Sequence, residues 1–317
     1  MSWRNSLHGR KVQYDENFLY LNGRPVGSDE VGRGRTFYVD SAVDGASGES
    51  PDEAVGTLDE AFAFCTANRG DKIVVMPNHA ETVTGVGGIT ADIAGVSVVG
   101  LGHYNQRPRF LMDGAATVTV AVSAADVAFH NLVFASGHAD VVTCFNITGK
   151  GCWLNGIEFD DNTTAENWLT PIKATSTTDN NADGLMVTGC RWTSIDAAGL
   201  EFIEANADLK HLIVRDNVVI HEGTASPLIL FATGKDMQYG DVQDNFLSHK
   251  MTANELLVNI DTSANSGIIA HNRVGHADVT STHDLGIDGL GCRLFDNLST
   301  STDSVSGFVL PVIDANS

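Results

Sequence analysis

The chain has 317 residues, of which 19 are lysine or arginine and 40 are aspartate or glutamate, so its formal net charge is −21. This acidic balance argues against nucleic acid as the main partner and against an anionic membrane surface, because both attract clustered positive charge. Hydrophobic residues make up 43% of the chain, which excludes disorder throughout. No apolar run reaches the roughly 18 residues that a membrane helix needs.

The first 35 residues differ in charge from the rest of the chain. They carry six basic and four acidic side chains, whereas the other 282 residues carry 13 basic and 36 acidic ones. Apart from the apolar run at 18–21 the segment is polar, and NGRPVG at 22–27 is typical of a turn. We predict an extended N-terminal arm over residues 1–35 that docks on a partner. The side chains that we assign to docking are Arg4, Arg10, Lys11, Phe18, Tyr20 and Arg24.

A strand and one amphipathic helix are predicted next, over residues 36–72. The run TFYVD at 36–40 is apolar and β-prone. Thr57 and Glu60 match a capping box, in which two side chains satisfy backbone N–H groups at the start of a helix. The apolar side chains that recur on one helical face are Leu58, Ala61, Phe62 and Cys65. We predict a helix over 58–68 that caps the following domain, with Gly70 just beyond its end.

From residue 73 to residue 317, short β-prone runs recur and are separated by Gly, Asn and Asp. Segments similar to Asp216-Asn217-Val218 follow one another at steps of 24, 34, 28, 28, 27 and 25 residues. A repeat of this length indicates a solenoid, because a propeller blade needs about 40–45 residues and helical repeats show a period of about 3.6 residues. We therefore predict an all-β fold, a parallel β-helix (solenoid) over 73–317.

One asparagine per turn has a physical role in such a solenoid. Equivalent side chains on adjacent turns stack at about 4.8 Å, so amides at a bend can hydrogen-bond to their neighbours. Asparagine also tolerates the left-handed backbone of a bend. The longest step contains an excursion, 160–183, that we interpret as a projecting loop. The asparagines that we predict to form a ladder are Asn131, Asn155, Asn217, Asn245, Asn272 and Asn297.

Cysteine spacing and acidic motifs give little sign of a metal or cofactor. The chain has five cysteines and no CxxC pair, which argues against zinc and favours buried thiols in a reducing compartment. Asp179, Asn181 and Asp183 match the start of a calcium loop, but Cys190 stands where the loop needs a bidentate glutamate. We expect no cofactor and no bound metal, and the alternative is a calcium ion at those three residues.

A glycan site is the other chemistry that we considered. Glycoside hydrolysis needs two carboxyl groups about 5–10 Å apart, and Asp160 and Asp161 form the one adjacent aspartate pair in the sequence. Trp168 lies close by in the chain and offers an aromatic face to a sugar. A lyase would instead need calcium and a base. Basic residues near the middle turns are Lys173, Arg191 and Lys210. No complete catalytic set emerges, so the sequence leaves open whether the protein is an enzyme.

Residues 36–102 resemble the opening segment of pectate-lyase-like right-handed parallel β-helix proteins, and especially the virion structural proteins of tailed bacteriophages that have this fold. The shared pattern is a strand, a glycine-rich loop, a Thr-Leu-x-x-Ala helix at 57–61, Gly-Asp, an apolar strand, and then Pro and Glu-Thr. The resemblance implies a right-handed winding and a homotrimer. It also implies a spike or fibre that decorates the phage head and docks on a capsid or tail protein through its N-terminal arm.

Two alternatives to this structural role stay open. One is a tail spike with polysaccharide depolymerase activity, either hydrolase or lyase. The other is a non-catalytic spike that binds a host surface glycan. In each case we expect a virion protein that is assembled in the host cytoplasm. The expected partners are further copies of the chain, a capsid or tail protein and, in the alternatives, a glycan, but neither nucleic acid nor a membrane.

Overall fold

The computed structural model describes residues 34–43, 45, 47–175, 181–223, 226–249, 258–260, 264–275 and 287–298. It describes by backbone alone residues 276, 299–301 and 307–308, and four strands among residues 4–26. The chain forms a parallel β-solenoid of about seven turns, as the repeat predicts. Each turn contributes one strand to each of three sheets. Seven complete turns lie between residues 72 and 259, and the strands that follow continue the stack.

The three sheets are named here in the order in which the chain enters them. The first sheet contains Thr36–Val39, Lys72–Val75, Ser97–Gly100, Ala128–His130, Trp153–Asn155, Met186–Thr188, Ile213–Arg215, Gly240–Gln243, Gly267–Ala270 and Arg293–Phe295. The second contains Ala80–Thr84, Arg109–Asp113, Val133–Ser136, Glu158–Asp161, Arg191–Thr193, Val218–His221, Phe246–His249, Arg273–His276, Leu298–Ser301 and Gly307–Phe308. The third contains Ile89–Ala91, Val120–Val122, Val141–Ile147, Trp168–Ala174, Ile203–Ala205, Ile229–Phe231, Val258–Asn259 and Ile287–Asp288.

Neighbouring strands pair in parallel throughout these sheets, except that Leu298–Ser301 pairs antiparallel with Gly307–Phe308. A short parallel pair, Leu209–Lys210 with Met237–Gln238, adds a fourth contact line between turns. The strand Thr36–Val39 is the first strand of the first sheet and pairs with Lys72–Val75. The boundary that we placed between residues 72 and 73 therefore falls inside a strand of the solenoid.

The backbone near the N-terminus forms an antiparallel sheet of four strands. These strands are Arg4–Leu7, Arg10–Asp15, Phe18–Leu21 and Arg24–Val26, and they pair in chain order. The side chains that we assigned to docking lie outside the described residues, so their role stays a prediction. Those residues are Arg4, Arg10, Lys11, Phe18, Tyr20 and Arg24.

One α-helix, Leu58–Phe64, lies in the described part of the chain, together with short 3₁₀ turns at Pro51–Glu53 and Tyr104–Gln106. The capping box is present: the Thr57 side chain accepts from the backbone of Glu60, and the Glu60 side chain accepts from the backbone of Thr57. The helix contacts the first strands of the first and third sheets. Nowhere in the described chain is a helix long and apolar enough to cross a membrane.

The helix is shorter than the 58–68 that we expected, because the following segment has other partners. Cys65 already has an extended backbone, and its N–H donates to the Phe62 carbonyl. Beyond it, the buried carboxylate of Asp71 accepts from the backbone N–H of Thr66 at 2.7 Å and from that of Arg35 at 2.7 Å. Two guanidinium nitrogens of Arg69 also bind this carboxylate, each at 2.7 Å. Asp71 therefore joins the helix exit to the residue that precedes the first strand.

The solenoid interior follows from the alternation of side chains along each strand. In the second sheet the inward position holds Phe110, Phe134, Phe159 and Trp192 on four successive strands. The rings of Phe110 and Phe134 stack with their centroids 5.0 Å apart. Four successive turns thus each bury one aromatic side chain at this position.

A second inward column of the same sheet is polar. Ser136 and Asp161 are paired on neighbouring strands, and His221 and His249 are paired two strands further along. The two histidine rings stack with centroids 4.8 Å apart, and both are buried. The Gly223 N–H donates to His221 Nδ1 at 3.0 Å, and no described donor or acceptor reaches His221 Nε2. The solenoid core therefore contains a stacked pair of buried imidazole rings.

The bend between the first and second sheets holds the asparagine ladder, formed by four of the six residues that we assigned to it. Side-chain amides link Asn217 to Asn245, Asn245 to Asn272 and Asn272 to Asn297, each at 2.9 Å. Each nitrogen also donates to a carbonyl of the turn before, as Asn217 does to Val187 at 2.9 Å. The four amides are fully buried or nearly so.

Asn131 and Asn155 are not part of the ladder. In the four ladder turns the residue before the asparagine has a left-handed backbone, for example Asp216 at φ 57°. Asn131 itself occupies that left-handed position at φ 56°, and Asn155 stands one residue before it. In the earlier turns the left-handed residues are Asn131, Gly156 and Gly189. The residue after each of them occupies the ladder position, and it is apolar or a cysteine. These side chains are Leu132, Ile157 and Cys190.

Candidate functional site

A groove of about 540 Å³ runs along the outer face of the second sheet, in the first half of the solenoid. The strands place its wall directly, because Arg109, Glu158 and Arg191 occupy one outward register column. The 3₁₀ turn Tyr104–Gln106, which follows the strand Ser97–Gly100 of the first sheet, forms a rim of the groove. The residues that line the groove are Tyr104, Asn105, Arg107, Arg109, Val133, Glu158, Asp160 and Arg191.

Two arginines of the groove are held by carboxylates. Arg107 forms an ion pair with Glu158, and Arg109 Nη1 donates to Asp160 Oδ2 at 2.6 Å. Arg109 Nη2 also donates to Asn162 Oδ1 at 3.1 Å. Partly exposed ion pairs of this kind contribute roughly 0–1 kcal/mol to stability. Their main effect here is to fix the direction of two guanidinium groups and two carboxylates along the groove.

Arg191 differs from the other two arginines. Its Cα is the register partner of Glu158, yet the Glu158 carboxylate binds Arg107 instead. The Arg191 side chain is exposed and forms no hydrogen bond or ion pair with any residue that the structure describes. The groove therefore presents one guanidinium group whose five N–H donors are available to a ligand.

The rim of the groove presents an aromatic ring to solvent. Tyr104 is 91% exposed, and its backbone lies in the left-handed region at φ 51°. The backbone N–H of Arg107 donates to the Tyr104 carbonyl at 3.3 Å, which closes the turn. Bulky residues rarely adopt this left-handed backbone conformation, which favours glycine. Residues with such a backbone cluster at ligand sites.

The adjacent aspartates that we predicted as a glycan site point to opposite sides of the sheet. Asp160 faces the groove, whereas Asp161 faces the interior and is 4% exposed. Burial raises the pKa of Asp161, although hydrogen bonds from the Ile195 and Trp168 backbones and from the Trp192 indole oppose the rise. Trp168 is fully buried and donates its indole N–H to the Asp160 carbonyl at 3.1 Å. Of the three predicted residues, only Asp160 is available to a ligand.

The calcium candidate is described only in part. Asp179 lies outside the described residues, and Asn181 begins a turn at 181–184. The Asp183 carboxylate accepts a hydrogen bond of 2.8 Å from the backbone N–H of Lys210, which ties it to the next turn. Across the described residues, no group of three or more potential ligands is arranged to hold a metal ion.

All five cysteines are free thiols. Burial raises the pKa of Cys152 and of Cys190 to about 12. Burial also raises the pKa of Cys65 to about 12, with a smaller contribution from Asp71, and that of Cys292 to about 11. The thiols are therefore protonated at neutral pH and are poor nucleophiles.

Sequence reasoning did not find Tyr104, Arg107 or Arg109, which complete the groove. The sequence does contain a pattern that indicates this groove, because Arg109 and Arg191 are the first residues of equivalent strands and both point outward. Aligning the turns by strand position would have placed them in one column with Glu158. Our alignment used the asparagine segments, which are displaced by one or two residues in the first half of the solenoid.

Comparison with known proteins does not assign this site. Neither protein-family models, nor curated proteins, nor solved structures gave a match to the chain. Carboxylates, guanidinium groups and an aromatic ring lie side by side in the groove, and together they suit a polar ligand with hydroxyl groups.

Proposed function

We propose that this protein is a structural component of a tailed-bacteriophage virion, a stiff rod that decorates the head as a spike or fibre. The observation that carries the proposal is the unbroken first sheet, in which ten strands pair from Thr36–Val39 to Arg293–Phe295. At about 4.8 Å per strand this stack is roughly 45 Å long. A closed solenoid with an aromatic core and an amide ladder resists bending, which suits a projection from a particle assembled in the host cytoplasm. We also infer a right-handed winding, the hand of nearly all parallel crossovers, and a capping role for the helix Leu58–Phe64.

Docking through the N-terminal arm is the part of the proposal that a truncation tests. The arm is basic whereas the body is strongly acidic, so it offers a separate surface to a capsid or tail protein. Deletion of residues 1–33 keeps Arg35, whose backbone N–H binds Asp71, and should leave the thermal unfolding of the rod unchanged. The truncated rod should no longer co-sediment with phage particles that lack the native protein. Co-sedimentation equal to that of the full chain would contradict the docking role.

Self-association into a homotrimer belongs to the same proposal. Apolar side chains stand exposed along the outer face of the second half of the second sheet, where a second copy of the chain would cover them. They are Ile220, Phe246 and Leu298, together with Ile195 just beyond the strand Arg191–Thr193. Light scattering should give three times the 33.7 kDa of one chain, and Phe246→Glu should shift the mass toward one chain. A single-chain mass at every concentration would contradict the trimer.

A non-catalytic spike that binds a host surface glycan is a second candidate function, and the groove favours it. Binding of host polysaccharide without release of reducing ends is the expected result. The depolymerase alternative would use Glu158 and Asp160, which are two residues apart and face the same groove. Release of reducing ends that is lost in both Glu158→Gln and Asp160→Asn would establish the depolymerase instead.

A further inference from the structure

The groove presents one positive charge that no described residue compensates. Arg107 and Arg109 are each bound to a carboxylate, so their charges are compensated within the groove. Arg191 is not compensated by any described residue, and its planar guanidinium group matches a carboxylate in a bidentate arrangement. At physiological salt, screening acts over about 8 Å, so a bound group senses Arg191 more than the distant charges of the body.

The exposed phenol of Tyr104 supplies the second half of a sugar site. An aromatic face binds the apolar face of a sugar ring, while the phenol hydroxyl stays hydrated. The turn at 104–107 holds the backbone of Tyr104 at the rim of the groove, through the hydrogen bond from the Arg107 N–H to the Tyr104 carbonyl. The strand that carries Glu158 and Asp160, whose carboxylates accept hydrogen bonds, lies between the turn of Tyr104 and the strand of Arg191.

We propose that this groove binds a glycan in which an isolated carboxylate-bearing sugar is flanked by neutral sugars. Arg191 binds the carboxylate, Tyr104 stacks on a neighbouring ring, and the acidic side chains accept hydroxyl groups. This inference deepens the glycan-binding role and rests on it. A ligand with a carboxylate on every sugar is disfavoured, because it extends beyond Arg191 onto a chain whose net charge is −21.

The test compares three oligosaccharides of equal length by titration calorimetry on the full chain. A gellan octasaccharide carries one glucuronate in each four-sugar repeat. The same octasaccharide with its carboxyl groups reduced to alcohols is the neutral control. An alginate octasaccharide carries a carboxylate on every sugar. We expect the gellan octasaccharide to bind at least tenfold more tightly than the reduced form, and the alginate octasaccharide to bind more weakly than gellan at low salt.

Arg273 provides a matched control for Arg191. It is exposed in the same outward column of the second sheet, three strands further along and thus about 14 Å away, outside the groove. Because it lies between Phe246 and Leu298 on the face proposed for self-association, both arginine variants are compared at the same oligomeric mass. Arg191→Gln should weaken gellan binding at least tenfold, whereas Arg273→Gln removes the same charge and should leave binding within twofold. Tyr104→Ala should weaken binding of both the native and the reduced octasaccharide.

Recognition of the carboxylate and binding of a glycan fail in different ways. If the reduced octasaccharide binds as tightly as the native one, or if Arg191→Gln matches Arg273→Gln, recognition of the carboxylate is overturned while glycan binding stands. If neither octasaccharide binds, glycan binding at this groove is overturned as well. The structural role on the particle is then judged by the truncation experiment alone.

Discussion

The side-chain amide nitrogen of Asn217 donates to the side-chain oxygen of Asn245 at 2.9 Å, and the same oxygen accepts from the Asn217 backbone N–H at 3.1 Å. Asn245 in turn donates to Asn272 and to the Val214 carbonyl. The amides of Asn217, Asn245 and Asn272 thus satisfy groups on the turns above and below them. Because these groups are buried, none of them has water as an alternative partner.

Removal of one amide should therefore cost more than removal of an ordinary hydrogen bond. We expect Asn245→Ala to lower the free energy of unfolding by about 3 kcal/mol, because several buried donors and acceptors lose their partners together. Urea denaturation followed by circular dichroism measures this loss. Asn155→Ala is the matched control, since Asn155 lies outside the ladder, and should cost less than about 1 kcal/mol. Equal losses would mean that the ladder has no special role.

The stacked histidines should make the rod sensitive to acid. Burial, with a smaller contribution from His249, lowers the pKa of His221 from 6.5 to about 3. The unfolded chain therefore binds this proton between pH 6.5 and 3 while the folded chain does not, and stability falls as the pH drops through that window. The loss from His221 should reach about 3 kcal/mol at pH 4.

A comparison of variants isolates the histidine. Burial raises the pKa of the Asp161 and Glu201 carboxyls, which favours the folded state at acid pH and opposes the effect of His221. Unfolding free energies at pH 7 and pH 4 should differ less in His221→Gln than in the parent. His103→Gln, at an exposed position, should keep the parent's pH dependence. An unchanged pH dependence in His221→Gln would refute the assignment.

The carboxylate of Asp71 should hold the N-terminal turn together. Burial alone would raise its pKa, but hydrogen bonds from Arg69 and from the Thr66 and Arg35 backbones outweigh burial and lower it. Asp71 therefore stabilises the folded state at pH values above its ordinary pKa of 3.8. This contribution is lost as the pH falls through the lowered pKa.

Replacing this carboxylate by a methyl group leaves a guanidinium group and two N–H groups without their acceptor. Asp71→Ala should lower the free energy of unfolding by about 3 kcal/mol. It should also speed hydrogen exchange at the N–H groups of Thr66 and Arg35. Asp52→Ala, in the exposed 3₁₀ turn, is the control and should leave both quantities unchanged. Unaltered exchange at Thr66 in the Asp71 variant would show that the clamp is not needed.

The thiols should react in an order set by burial. Cys292 is partly exposed and the other four cysteines are buried. With an aromatic disulfide reagent at pH 8, native protein should show one slow reacting thiol, and unfolded protein should show five. Cys292→Ser should abolish the native-state reaction. Rapid reaction of a second thiol in the native protein would contradict the described burial.

The repeat was sufficient to predict the parallel solenoid, because turn-to-turn stacking imposes a period on the sequence whatever the exact strand bounds. The capping box at Thr57 was equally local and equally predictable. The direction in which a side chain points could not be predicted, because a shift of one residue exchanges the two faces of a strand. Asp160 and Asp161 show this directly: they are neighbours in sequence, but one lines the groove and the other is buried.

The groove was harder to predict for a related reason. Arg109 and Arg191 are 82 residues apart, and only the strand register brings them into one column. Whether an arginine there is paired or free depends on which carboxylate bends toward it. Glu158 binds Arg107, from a loop, in preference to its register partner Arg191. The sequence contains no pattern that indicates which of two nearby arginines a carboxylate binds.

The uniform bend at Asn217, Asn245, Asn272 and Asn297 also bears on how such a molecule changes length. Each bend satisfies its neighbours through the same amide contacts, so excising 218–245 would bring Asn217 against Asn272 with equivalent partners. Duplication or loss of a whole turn in the gene would thus preserve the amide contacts of the ladder. The second half of the rod is a module that evolution can lengthen or shorten in single steps, while the groove in the first half stays untouched.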